Sequence, residues 1–231
     1  MKQRRRVVAL HGNFGSASDW DFLQGIEAEV IALDLWELVD LQLDEVGQWL
    51  CENYGDGETL LAGYSMGGRL ALHGITAGAS DAWGGAVIVS AHPGLEISQQ
   101  RQERLESDLQ WSERVSADAW EELLQSWNAQ PVLNVGNSIE AMARLEPRRA
   151  EIAKAFQHWS LGRQRCLTDE LKAVGLPLAW LVGERDEKFR ALGVAFANQV
   201  PVCELNVIPN TGHRILLEQP GAVKTAIEKL I

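Results

Sequence analysis

Short, nearly uninterrupted apolar runs recur along the chain at residues 7–10, 30–33, 59–62, 86–89, 178–182 and 203–208. Runs of that length with apolar side chains at both odd and even positions predict strands covered on both faces, as in a parallel sheet. Helical patterns fall between them, around residues 20–28, 42–54, 67–77, 189–199 and 220–230. Strand therefore alternates with helix, which predicts an α/β architecture with a mostly parallel sheet and helices on both faces.

From about Leu95 to Leu176 the alternation stops. This stretch has no convincing strand, many charges, and the tryptophans Trp111, Trp120, Trp127 and Trp159. Its length far exceeds an ordinary strand–helix connection. The expected organisation is a core of residues 1–94 and 177–231, with residues 95–176 inserted as a helical cap that covers or lines a site. A second layer of core helices with tryptophan filling is the competing reading.

Composition narrows the class. The 231 residues, 46% hydrophobic and 23% charged, suit one globular α/β domain. A net charge of −11 argues against a nucleic-acid partner, and the arginines at 4–6 read as a solvated strand entry. The apolar stretch behind the basic start is too short for a secretory signal, and no segment approaches membrane-spanning length. Cys51, Cys166 and Cys203 fit neither a disulfide framework nor a zinc knuckle, so a reducing cytoplasm is expected. Histidines and acids lack metal-ligand spacing, and no metal or cofactor is expected.

The chemistry concentrates at Gly63-Tyr64-Ser65-Met66-Gly67, between an apolar run and a helical one. That context predicts a nucleophile elbow and, with it, the α/β-hydrolase fold. Glycines flank the serine because a Cβ there would collide with the strand or helix. The expected order of partners is acid, then histidine. Asp186 follows the run at 178–182 and is preferred to Glu184 and Glu187, while His213 sits in the loop after the last run. His73 falls on the elbow helix, His158 in the cap, and His92 after a strand, where it can line the site. The loop His11-Gly12-Asn13 is expected to supply one oxyanion donor, the backbone N–H of Asn13, beside that of Met66.

Arg69 lies one helical turn beyond Ser65 on the same face. A cation near a helix N-terminus opposes the macrodipole unless an anion offsets it. The substrate's carboxylate can be that anion; a salt bridge to Asp or Glu, or solvent exposure, explains the residue equally well.

Taken together, Gly63-Tyr64-Ser65-Met66-Gly67-Gly68-Arg69, Ala91-His92-Pro93-Gly94-Leu95, Ser107-Asp108 with Gln110-Trp111, Trp127 with Gln130-Pro131-Val132, the string from Gly183 to Leu192, and Gly212-His213 resemble the 2-succinyl-6-hydroxy-2,4-cyclohexadiene-1-carboxylate synthases of menaquinone biosynthesis. The resemblance runs through nearly the whole chain. It implies a lyase that eliminates pyruvate from a succinyl enolpyruvyl hydroxycyclohexene carboxylate, with Ser65, activated by His213, taking the proton. It also implies arginines on the substrate's carboxylates, namely Arg69, Arg104 and a cap arginine, Arg148 or Arg149, with Tyr64 and Trp127 shaping the pocket. Two departures reshape that pocket: Asn13 stands where the family usually has Phe, and Asp34-Leu35-Trp36-Glu37-Leu38 replaces its Asp-Leu-Pro-Gly-His-Gly turn. The same triad on this fold also serves carboxylesterases, thioesterases and carbon–carbon hydrolases, the alternative reading. A binding module without catalysis is a third reading, disfavoured by the presence of all three triad residues.

Overall fold

The computed structural model describes residues 5–79, 81–133 and 139–231. Among them, β1 (Arg6–Leu10), β2 (Glu29–Leu33), β3 (Leu60–Tyr64), β4 (Gly85–Val89), β5 (Leu178–Gly183) and β6 (Cys203–Ile208) form one sheet in the order β2-β1-β3-β4-β5-β6. Every pairing is parallel. Alternate residues of the inner strands enter opposite apolar clusters: Val8, Leu61, Ile88 and Trp180 on one face, Val7, Ala62, Val87 and Leu181 on the other. Each fully buried aliphatic side chain contributes about 1.5–3 kcal/mol, which explains why the inner strands read as continuous apolar runs. The edge strand β6 alternates more visibly, with Glu204 and Val207 exposed.

Helices α1 (Leu43–Tyr54) and α2 (Met66–Ala77) pack together on the first face. Residues 20–28 do not form the expected α-helix. A 3-10 segment, Ala17–Leu23, ends ahead of Gly25, whose φ of 86° takes the chain out of helical geometry. Between β4 and β5 lie α3 (Ser98–Ala117), α4 (Trp120–Asn128), α5 (Ile139–Ala143), a 3-10 turn at Glu146–Arg148, α6 (Arg149–His158) and α7 (Thr168–Val174). After β5 come α8 (Glu187–Ala197), α9 (Ile215–Glu218) and α10 (Pro220–Glu228).

The inserted helices share the core's apolar cluster. Trp120 and Trp159 are buried within it, and Trp111 and Trp127 pack against it. The Trp159 indole also donates to Leu41 O at 2.9 Å, pinning α6 to the chain after β2. These tryptophans thus fill the core and dock the insertion. At the sheet's entry, Arg5 donates to Leu230 O and Arg6 pairs with Asp56, while Arg4 lies outside the described residues. No helix among the described residues is long and apolar enough to cross a membrane.

Candidate active site

Ser65 joins β3 to α2 with φ 52° and ψ −109°. An L-residue rarely adopts that conformation, and it holds the hydroxyl clear of both elements. Close packing fixes the flanking glycines: a Cβ on Gly63 would lie 2.5 Å from Gly67 O, and one on Gly67 would lie 2.3 Å from Leu10 O. The N–H groups of a first helical turn lack intrahelical acceptors, and Met66 opens α2. That end of the helix dipole favours negative charge developing beside Ser65.

His213 Nε2 lies 3.2 Å from Ser65 Oγ, and His213 Nδ1 lies 2.7 Å from Asp186 Oδ2. A carboxylate on Nδ1 places the ring proton there, leaving the Nε2 lone pair toward the hydroxyl. Asp186 caps α8: its Oδ1 accepts from Phe189 N at 3.2 Å, so one carboxylate oxygen orients the helix and the other the imidazole. Its rivals are engaged elsewhere or solvated, Glu184 accepting from Asn210 N and Glu187 exposed. The His213 loop reaches the site because β5 ends in glycine; a Cβ on Gly183 would lie 2.1 Å from Gly212 O.

Asn13 lines the cavity at Ser65, on a loop braced from behind. His11 accepts from Leu35 N through Nε2 at 3.1 Å and meets Gly12 O through Nδ1 at 2.9 Å. Desolvation lowers its pKa to about 4, so it is neutral and structural. The Trp36 indole donates to Gly15 O at 3.0 Å, so the departure at residues 34–38 supports the Asn13 loop. Asp19 lies in the same wall; its Oδ2 accepts from Ser16 N at 3.3 Å, and burial raises its carboxyl to about 6.

The cavity at Ser65 has a volume of about 80 Å³, with Tyr64, Trp127 and Arg214 in its wall. Trp127 belongs to an aromatic group with Phe14 at 4.9 Å and Trp111 at 5.0 Å between ring centroids. A second cavity of about 310 Å³ shares His213 with the first and contains Asp186 and Lys188. A third, of about 410 Å³, shares Lys188 with the second and contains His92 and Arg104.

The expected substrate arginines are spread over these surroundings. Arg69 is buried and absent from the Ser65 cavity wall; its Nη1 donates to Gln164 Oε1 at 3.2 Å. Its long side chain runs to the inserted segment, so the shared helical face does not bring its guanidinium to the nucleophile. Among the described residues it has neither a carboxylate salt bridge nor solvent exposure, and burial lowers its pKa to about 10, with Arg104 adding to the effect. Gln164 is held in turn, donating to His92 O at 3.0 Å. Arg104 binds Asp108 at 2.9 Å through Nε, and Asp108 also accepts from Ser160 at 2.7 Å. His92 lies in the third cavity rather than at Ser65; desolvation lowers its pKa to about 3, so its ring is neutral. Neither cap arginine lies in the three cavity walls. Arg148 pairs with Asp34 at 3.0 Å and Glu151 at 3.4 Å, while Arg149 pairs with Glu146 and covers the Trp120 ring. The arginine in the Ser65 wall is Arg214, which no motif marked.

The fold and residues 7–226 define the class: that span matches the family model described as the alpha/beta hydrolase family. A relative from Escherichia coli O7:K1, named 2-succinyl-6-hydroxy-2,4-cyclohexadiene-1-carboxylate synthase, is 32% identical over 97% of this chain and 93% of its own length. The chain belongs to the alpha/beta hydrolase family and, within it, to the family of those synthases. Among solved structures, MenH from S. aureus matches with a TM-score of 0.84 at 23% identity, covering 100% of this chain and 94% of that one. A thermophilic esterase from Thermogutta terrifontis, in a malate-bound structure, matches at 0.73 with 22% identity, covering 97% and 88%. At such identities the likeness speaks to the fold.

Proposed function

We propose that this protein eliminates pyruvate from a succinyl enolpyruvyl hydroxycyclohexene carboxylate to give 2-succinyl-6-hydroxy-2,4-cyclohexadiene-1-carboxylate. The observation that carries the reaction is the full-length likeness to a relative named for that product. His213 takes the Ser65 proton, and the serine oxygen removes a proton from the ring carbon. The released electron pair forms the new ring double bond, the C–O bond to the enolpyruvyl group breaks, and the departing enolate takes up a proton to become pyruvate. Asp186 holds His213 in the required tautomer. Backbone N–H groups of Asn13 and Met66 stabilise developing oxyanion charge. Tyr64 and Trp127 shape the cavity, and Arg104, with Lys188 and His92 nearby, receives a substrate carboxylate; Arg69 contributes charge from behind Gln164.

The substrate is a small carboxylate, and residues 95–176 act as the cap over the core. A cytoplasmic setting suits the three free thiols of Cys51, Cys166 and Cys203. Carboxyl-ester hydrolysis by the same triad is the second reading, favoured by the small, mostly apolar cavity at Ser65, which suits a neutral acyl group. The two separate on Arg104→Met: its KM for the polycarboxylate rises, and its rate on a neutral ester is unchanged. Brisk Ser65-dependent ester cleavage without pyruvate release would move the protein to the hydrolases.

A further inference from the structure

His92 lies just beyond β4 on a loop clamped by the insertion. Gln164 donates to its backbone oxygen at 3.0 Å, Leu167 N donates to Pro93 O at 2.8 Å, and a Cβ on Gly94 would lie 2.2 Å from Arg165 O. The residue is only 6% exposed, and Gly94 N donates to its Nδ1 at 3.0 Å. A ring nitrogen that accepts must carry a lone pair, so the proton of the neutral imidazole sits on Nε2. Desolvation keeps the ring neutral, and the cations Lys188 of α8, Arg69 of α2 and Arg104 of α3 reinforce it.

That Nε2–H has no acceptor among the described residues, and unlike His73 Nε2 it is not sealed inside the protein. His92 borders the cavity of about 410 Å³ that also contains Arg104 and Lys188. Arg104 engages Asp108 through Nε, which leaves its Nη groups for a ligand. The acid in that wall, Glu103, is exposed and accepts from Gln99 Nε2 at 2.9 Å. His92 also borders a cavity of about 220 Å³, whose wall has no lysine or arginine among the described residues. A buried donor left without an acceptor is costly, so this N–H suits a ligand that supplies one, and a negatively charged acceptor is drawn to the side with the cations.

We propose that His92 donates its Nε2–H to the substrate carboxylate that Arg104 receives, as an uncharged, specificity-determining donor of fixed tautomer. This rests on the polycarboxylate lyase reading and gives His92 a role of its own within it. One carboxylate oxygen meets the Arg104 guanidinium and the other meets the imidazole, so the group is fixed in orientation as well as attracted. An ordinary histidine changes charge between about pH 5 and 8. This ring presents the same single donor throughout that range.

The test compares wild type with His92→Phe, His92→Gln and Arg104→Met. Pyruvate release gives kcat and KM, nitrogen-15 NMR of labelled histidine gives the tautomer, and thermal melting reports the fold. Loss of one hydrogen bond to a charged group predicts a KM increase of about tenfold to a hundredfold in His92→Phe, with a much smaller change in kcat. His92→Gln, whose amide can donate from nearly the same place, should recover most of it. The wild-type spectrum should show Nδ1 bare and Nε2 protonated at every pH between about 5 and 8. Succinate should shift the Nε2 signal of wild type and not that of Arg104→Met. An Nδ1–H tautomer, titration near the ordinary 6.5, or an unchanged KM in His92→Phe would each overturn the proposal. Equal KM rises in His92→Phe and His92→Gln beside lowered melting temperatures would overturn it too and leave His92 as a prop for its loop. A succinate shift that is absent from wild type, or that persists in Arg104→Met, would likewise contradict a donor shared with Arg104. Absence of pyruvate release by wild type would instead refute the lyase reading, and the tautomer and the succinate shift would still decide the role of His92.

Discussion

The parallel sheet and the insertion between β4 and β5 determine their chemistry in different ways. In the sheet region, backbone geometry places the groups: Ser65 at a left-handed turn, Asp186 at a helix cap, His213 on a loop that approaches over Gly183. In the insertion, partners place them. Arg104 is held by Asp108, Arg148 by Asp34, Arg149 by Glu146 and Trp120, and Asn128 holds Arg214. A site fixed by backbone constraints tolerates few residue types at fixed spacings, so it can be read along the chain. A site fixed by long side chains meeting across the fold cannot.

The sharpest way to break this comparison is at the relay. His213→Ala should lower turnover on the order of 10⁴-fold or more, since its neighbours are fixed by backbone and cannot move in to replace it. A loss of tenfold or less would mean that the sheet region does not fix the chemistry. Next in size is Asp19, whose carboxyl rises from 3.8 to about 6 on folding. A raised carboxyl stabilises the fold fully below pH 3.8, and that contribution is lost as pH rises to about 6. Its size is about 3 kcal/mol. The stability difference between wild type and Asp19→Asn, followed by denaturant titration across that window, should therefore fall with rising pH; a flat difference would contradict the burial argument.

Arg104→Met should raise KM for the polycarboxylate by about tenfold to a hundredfold with little change in labelling of Ser65. The smallest effect is expected at Arg148, whose pair with Asp34 is 39% and 34% exposed. Arg148→Met should cost no more than about 1 kcal/mol in stability and leave KM unchanged. A KM effect there as large as at Arg104 would restore Arg148 to the substrate site.

The same division explains how much the chain disclosed by itself. Each of the six strands begins or ends within a residue or two of an apolar run; for the inner strands β1, β3, β4 and β5, burial on two faces leaves no other composition. The residues that came together at Ser65 were marked by glycine spacing and by their place after strands. Residues 20–28 misled because their apolar positions suit a helix that Gly25 interrupts. Arg69 sits on the expected helical face, but a long, flexible arginine side chain is not directed by that face, and Gln164, distant in sequence, claims it. Arg214 carried no spacing signal beyond its adjacency to His213. The brace from Trp36 to Gly15 was equally hidden, because the replaced turn showed what was lost and not what took over.

The central claim is that Ser65, driven by His213 and Asp186, eliminates pyruvate. Pyruvate release from the succinyl enolpyruvyl hydroxycyclohexene carboxylate, coupled to lactate dehydrogenase, tests it in wild type and Ser65→Ala side by side. The account predicts rapid release by wild type and a loss on the order of 10⁴-fold or more in Ser65→Ala. Release that survives the substitution, or no release by wild type while esters are cleaved, would contradict it.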